Sequence, residues 1–252
     1  HHYDDLTVRE VVVKSSNRGA ANLGILLGEN RLYGYAKRFG FGDATGILLG
    51  AESRGILHHP RVWDGLTISR LPMGHAVSAT PLQVHQAMGV IASGGTLFAP
   101  RVVRRVFDDE GATVVSFPPT EGKRVLDPAV AAEMASFLER VVSRDGTARR
   151  ARIEGYRAAG KTGTTQMIVN GTYSHSDHIA SFSGFLPADD PRAVITVVVR
   201  RPRSEGIGYG GLVAAPAFRR IALEAVHHLG IPPARNHATP NFAANKTHVP
   251  TP

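Results

Sequence analysis

Apolar residues recur at helical spacing through the first half of the chain and gather into strand-like runs late in it. From Leu6 to Lys14 the pattern sets Val8, Val11 and Val12 on one side, behind Asp5 or Thr7 as a cap, and the polar run Ser15-Ser16-Asn17 stops it. Ala20 to Phe39 continues as one further helical pattern, ended at Gly40-Phe41-Gly42. Residues 43–75 are punctuated by Gly46, Gly50, Gly55, Pro60, Gly65 and Gly74 and read as loop. Thr80-Pro81 opens a helix with threonine at the N-cap and proline at the first helical position, carrying Leu82, Val84, Ala87, Val90 and Ile91 to a stop at Gly94-Gly95. Residues 97–107 and 112–117 read as strands around an Asp108-Asp109-Glu110-Gly111 turn. Asp127 caps a helix from Pro128 to about Ser143, with Val130, Met134, Phe137, Leu138 and Val141 near the 3.6 period.

The last third predicts strands over 158–166, 179–186 and 194–200, a glycine-rich loop from Gly206 to Gly211, and a closing helix over 214–229. Helices first and adjacent strands later predict a mixed α/β fold of the α+β kind, with helices packed on an antiparallel sheet rather than a βαβ alternation. Residues 1–232 form one domain on this reading, and 233–252, rich in Pro, Asn and Thr, form a disordered tail.

A length of 252 residues suffices for one domain with a real core, and 42% hydrophobic with 20% charged residues is an ordinary globular composition. No apolar run reaches the length of about 18 residues that marks a membrane helix. The absence of cysteine removes disulfides, thiolate metal sites and cysteine nucleophiles together. The net charge of +8 raises the question of a nucleic-acid partner. The arginine clusters at 104–105, 149–152 and 200–203 lack interleaved aromatics and any accompanying nucleic-acid motif, so no nucleic acid is expected.

The chemistry lies in Lys161-Thr162-Gly163-Thr164, on a predicted strand, and Ser15-Ser16-Asn17, just past a helix. Taken singly, a Lys-Thr pair is ordinarily a solvated edge and Ser-Ser-Asn ordinarily a cap or turn. In this order they match two of the three elements that converge in serine penicillin-recognising sites: Ser-x-x-Lys, Ser-x-Asn and Lys-Thr-Gly. Gly163 leaves room for an extended peptide to pair along the strand edge. Thr162 and Thr164, with Thr165 beyond them, offer hydroxyls to a terminal carboxylate, and Lys161 supplies positive charge behind them. The Thr164 N–H suits half of an oxyanion hole. Ser15 is placed to pass a proton to a leaving amine, and Asn17 to hold a lysine and a substrate amide.

Further segments extend the match. Residues 6–17, Ser78-Ala79-Thr80-Pro81-Leu82-Gln83, residues 91–96 with Pro100, residues 159–166, Ser183-Gly184-Phe185-Leu186-Pro187 and residues 211–218 together resemble the class B penicillin-binding proteins, in family order over about residues 5–232. The resemblance implies a β-lactamase/transpeptidase-like fold, with a five-stranded antiparallel sheet flanked by helices and N-terminally incomplete here. It implies D,D-transpeptidation of D-alanyl-D-alanine stem peptides through an acyl-enzyme, and acylation by β-lactams. The catalytic residues would be Ser15, Asn17 and Lys161; the substrate-binding ones Thr162, Gly163, Thr164 and Thr165. No metal or organic cofactor is implied. The parent would work outside the cytoplasmic membrane, anchored by an N-terminal helix, beside a membrane glycosyltransferase.

One departure bears on mechanism: no Ser-x-x-Lys occurs in the chain. In the family it lies some tens of residues before the Ser-x-Asn turn, so it is expected upstream of His1, and the chain alone is expected to be inactive. Two other readings stay open: a non-catalytic interaction module of the same fold, and a serine β-lactamase or D,D-carboxypeptidase relative. The histidines at 58–59, 175, 178 and 227–228 sit in separate elements without carboxylates at metal spacing, so no metal site is expected. Residues 206–211 lack the Lys-Ser/Thr of a phosphate loop and read as a flexible active-site loop.

Overall fold

The computed structural model describes residues 5–203 and 208–234, apart from the side chain of His175. The expected disordered tail falls almost wholly outside them, as do residues 204–207 of the glycine-rich segment.

The first helix, α1 (Val8–Lys14), is closed by a capping box in which the Thr7 hydroxyl accepts from the Glu10 N–H and Glu10 reaches back to Thr7. The single long helix expected from Ala20 is two: α2 (Asn17–Leu27) and α3 (Glu29–Arg38). Gly28 separates them at φ 81°, ψ 155°, a backbone position that costs other residues dearly. The apolar spacing runs through it because half-buried residues stand on either side of the break, Leu23 and Leu27 in α2 and Leu32 and Tyr33 in α3. Ser16 does not merely end α1; its hydroxyl caps α2 by accepting from the Gly19 N–H at 3.1 Å.

The loop-rich stretch holds the short strand β1 (Ile56–Leu57), a 3-10 turn at Pro60–Val62, the single-turn helix α4 (Thr67–Arg70) and β2 (Val77–Ser78), which pairs with β1. The expected capped helix follows as α5 (Pro81–Ala92), again with a capping box, from Thr80 to Gln83. Gln83 is fully buried. Its Nε2 donates to the carbonyls of Asp43 and Arg54, each at 2.8 Å, while its Oε1 accepts from the Thr80 N–H at 2.8 Å. One amide therefore fastens the loop to the helix.

The expected strand over 97–107 divides. Thr96–Leu97 (β3) pairs with Lys123–Arg124 (β6), whereas Arg105–Phe107 (β4) pairs with Thr113–Ser116 (β5) in an exposed hairpin. Residues 98–104 between them join no strand. Pro100 lacks the N–H a ladder needs. Helix α6 (Pro128–Val142) runs as expected behind Asp127, whose carboxylate accepts from the Ala129 N–H.

The main sheet is antiparallel and three-stranded in the order β7 (Ala159–Val169), β8 (Thr172–Leu186), β9 (Ala193–Arg200). The five strands implied by the resemblance are thus three among the described residues. Residues 167–178, outside the strands expected from the sequence, are the far end of a long β7–β8 hairpin turning at Asn170-Gly171, which puts His178 inside β8, buried against the Ser176 carbonyl. A register shift near Gln166 hid this continuity from a strict period of two. The closing helix α7 (Gly210–His228) begins four residues earlier than expected and takes Pro216 within its first turns.

Side chains alternate across the sheet, so Phe182 and Leu186 face one way and Phe185 the other. Phe182 meets Phe218 of α7 edge-on at 4.6 Å between ring centroids, in a cluster with Ala214, Ala215, Ala222 and Val226. Phe185 packs with Met88 of α5 and Leu138 of α6 on the opposite face. Arg157 joins α6 to the sheet by a two-pronged ion pair, 2.7 Å from each Glu139 oxygen, and by a further contact to Asp189.

Gln83→Leu keeps the volume, but strips the amide bonds and leaves the Thr80 N–H and two loop carbonyls to find water. It is expected to lower the free energy of urea unfolding by about 2–4 kcal/mol. Gln86→Leu, which loses one bond to the Phe98 carbonyl, is expected to cost about 1 kcal/mol.

Candidate active site

Ser15 ends α1 in the left-handed conformation, φ 53°, ψ 47°, with its N–H bonded back to α1 carbonyls. That sharp reversal lets α2 begin at Asn17 almost at once, and it lifts the Ser15 hydroxyl clear of both helices. The hydroxyl accepts a hydrogen bond from Lys161 Nζ at 2.8 Å. Ser-Ser-Asn and Lys-Thr-Gly, far apart in sequence, therefore meet. Asn17 sits exposed at the first position of α2, one residue past the cap.

Lys161 is half-buried and also donates to the Thr162 carbonyl at 3.2 Å. Burial pushes its ammonium down to about 8, within reach of neutral proton transfer. Among the described residues its bonding partners are neutral oxygens, so no carboxylate opposes that shift.

The strand carrying Lys161 has β8 on one side and no strand on the other among the described residues. Lys161 and Gly163 face α5 and α6, whereas Thr162 and Thr164 face the start of α7. Thr162 Oγ1 lies 3.3 Å from Thr147 Oγ1, and Thr164 Oγ1 accepts from the Gly210 N–H at 3.0 Å. Thr165 lies exposed, in register with Ile179.

Gly163 has a reason beyond clearing the strand edge: a Cβ there would stand 2.5 Å from Ser181 Oγ on the neighbouring strand. Gly210 and Gly211, expected in a loop, are the first turn of α7. A side chain on Gly210 would strike the Ser181 and Gly163 carbonyls, and one on Gly211 the Thr147 carbonyl. The helix end thus presses directly on the backbone of the Lys-Thr-Gly strand. Sequence reading missed Thr147 and this pair of glycines. The glycines carried a signal, because adjacent glycines ahead of a helical pattern fit a close helix–strand approach; Thr147 carried none.

Ser183 pairs with Lys161 in register, and its hydroxyl lies 2.7 Å from Thr196 Oγ1, which lies 3.2 Å from His85 Nδ1. Burial holds the His85 imidazole below its ordinary range. A polar line thus crosses all three strands on the Lys161 face.

The chain is similar in sequence and fold to several known proteins. Residues 1–223 match the penicillin binding protein transpeptidase domain family. Stage V sporulation protein D of Bacillus subtilis is 38% identical over 242 residues, covering 96% of this chain and 37% of that protein. Penicillin-binding protein PbpB of Mycolicibacterium smegmatis is 36% identical over 234 residues, covering 90% of this chain and 36% of that one. The chain therefore spans little more than a third of these relatives. Among solved structures, penicillin binding protein 3 of Mycobacterium tuberculosis in complex with ampicillin aligns with a TM-score of 0.85 at 33% identity, over 93% of this chain and 53% of that one. The transpeptidase domain of penicillin-binding protein 3 from Burkholderia pseudomallei aligns with a TM-score of 0.81 at 32% identity, over 92% and 67%. With the Ser-x-Asn and Lys-Thr-Gly elements joined through Ser15 and Lys161, and the family matched over most of its length, this chain belongs to the penicillin-binding protein transpeptidase family.

Proposed function

We propose that this chain is the substrate-holding and proton-relay part of a peptidoglycan D,D-transpeptidase. The observation that carries the reading is the 2.8 Å bond from Lys161 Nζ to Ser15 Oγ. A relative from Neisseria meningitidis, 29% identical over 93% of this chain, is named a probable peptidoglycan D,D-transpeptidase. That name favours the transpeptidase over a β-lactamase, a carboxypeptidase or a non-catalytic module.

In this reading the D-alanyl-D-alanine end of a stem peptide lies along the free edge of β7, in the position of an added strand. Its carboxylate meets the hydroxyls of Thr162, Thr164 and Thr165 and the field of Lys161. A serine supplied by a Ser-x-x-Lys segment outside this chain gives its hydroxyl proton to the lysine of that segment and attacks the penultimate carbonyl, with the Thr164 N–H stabilising the oxyanion. The ester forms, the C–N bond breaks, and the departing D-alanine nitrogen takes a proton from the Ser15 hydroxyl, which Lys161 replenishes. An amine of a neighbouring peptide then attacks the ester, releasing the serine and closing the cross-link. Asn17 holds the substrate amide. β-Lactams acylate the same serine. No described helix is long and apolar enough to cross a membrane; the parent's N-terminal segment supplies the anchor on the outer face, beside a glycosyltransferase.

Fluorescent penicillin is expected to label the intact protein covalently and to leave the 252-residue chain unlabelled. Gel fluorescence after denaturation reads both, and an unlabelled intact protein would remove the enzymatic reading. In the intact protein Lys161→Ala is expected to slow acylation by about 10²–10⁴-fold, the usual worth of a positioned acid–base group.

The pH dependence follows from the Lys161 shift. Burial disfavours its charged form, so the ammonium is present below about pH 8 and lost above it. The second-order acylation constant of a carboxylate-bearing β-lactam is expected to fall on the alkaline side from about pH 8. Lys161→Arg stays charged throughout and is expected to abolish that limb at a lower plateau. Stopped-flow acylation between neutral and alkaline pH checks both.

A further inference from the structure

The segment leaving α6 carries a second feature that the transpeptidase chemistry does not use. Past Thr147 the chain turns through Arg149–Ala151 as a 3-10 helix. Ala148 and Ala151 are fully buried there, so Arg149, Arg150 and Arg152 are turned outward. Across from them α7 presents Pro216, Arg219 and Arg220, which share a helix face at the i, i+3 and i+4 spacing. These residues line one open hollow of about 620 Å³, within the size range of small-ligand sites. Arg219 Nε donates to the Arg152 carbonyl at 3.0 Å and ties the two walls together.

Every charged group lining the hollow is a guanidinium. Among the described residues none of the five arginines forms an ion pair with a carboxylate. Glu224 lies one turn beyond Arg220, in the adjoining depression, without pairing to it. Like charges gathered without counterions repel, and an anion in the hollow relieves them. The hollow is distinct from the proton-relay site: neither Lys161, Ser15 nor the threonines of the Lys-Thr-Gly strand line it.

We propose that this hollow binds a phosphate-bearing ligand with several adjacent negative charges, of the diphosphate kind. Guanidinium forks match phosphate oxygens two at a time, and converging forks favour a ligand that presents more than one phosphate over a lone carboxylate. The same chemistry comes from a soluble diphosphate or from a lipid headgroup that carries two phosphates.

The test uses the intact protein and two probes. Calorimetric titration with inorganic pyrophosphate at fixed ionic strength is expected to show saturable binding, and flotation compares cardiolipin-containing vesicles with phosphatidylcholine vesicles. Arg150→Glu/Arg220→Glu, at exposed positions with no hydrogen bond to lose, is expected to weaken binding by at least about tenfold, as removal of converging charge-assisted contacts should. Arg104→Glu/Arg105→Glu makes the same charge change elsewhere and is expected to leave binding as it was. Retained penicillin labelling in both variants certifies the fold and keeps this test separate from that of the transpeptidase. Binding in the pyrophosphate arm alone assigns a soluble ligand; binding to the cardiolipin-containing vesicles, lost in the 150/220 variant, assigns a headgroup. No binding in either arm, equal displacement by sulfate at matched ionic strength, or equal loss in the two charge-reversed variants overturns the proposal.

Discussion

The bond between Lys161 and Ser15 joins positions 146 residues apart, and the rest of the fold is arranged to make it possible. Lys161 is fixed by the β7–β8 ladder, whose register pairs it with Ser183. Ser15 is fixed by two helices that meet at it almost without a linker, one ending on its left-handed backbone and the other capped by Ser16. Helix α6 supports both parts: it packs against α1 and against β7. Three layers must therefore settle correctly before a single 2.8 Å contact forms. The contact also sets the chemistry. A lysine buried against neutral oxygens is shifted toward neutral pH, whereas one paired to a carboxylate would be held up.

The opposite face of the strand obeys a different constraint, which is space. The start of α7 lies so close to β7 and β8 that Gly210 has no room for a Cβ, and the Gly210 N–H, unpaired within its own helix, donates to Thr164 Oγ1. Thr162 is similarly engaged by Thr147. The hydroxyls expected to meet a carboxylate are thus held in place from behind. Each keeps a free lone pair or proton for a ligand, so this support orients them without using them up.

Much of this was legible in the sequence, for definite reasons. The capped helices α5 and α6 announced themselves because Thr80-Pro81 and Asp127-Pro128 are local signals that tertiary contacts had no cause to override. The meeting of Ser15 with Lys161 was legible only through the resemblance, since nothing in either tripeptide encodes its distance from the other. What was missed depended on single residues acting against a period. Gly28 broke a helix whose apolar pattern ran on, and a bulge near Gln166 masked the continuation of β7 and β8. The start of α7 was misplaced because its opening glycines read as loop, although helix–strand contact selects them.

Gly163 shows how one residue can meet several demands at once. Its missing side chain leaves the strand edge open and spares the Ser181 hydroxyl, while its carbonyl takes the close approach of Gly210 from the other face. Any larger residue meets Ser181 Oγ first, at 2.5 Å, and that hydroxyl lies on the same face as Lys161. The strain would thus reach the face that positions Lys161 against Ser15, even with the strand edge still open. A substrate-groove explanation for this glycine is incomplete. The missing Cβ that clears the strand edge also lets β7 and β8 pair at the separation that sets Lys161 opposite Ser183.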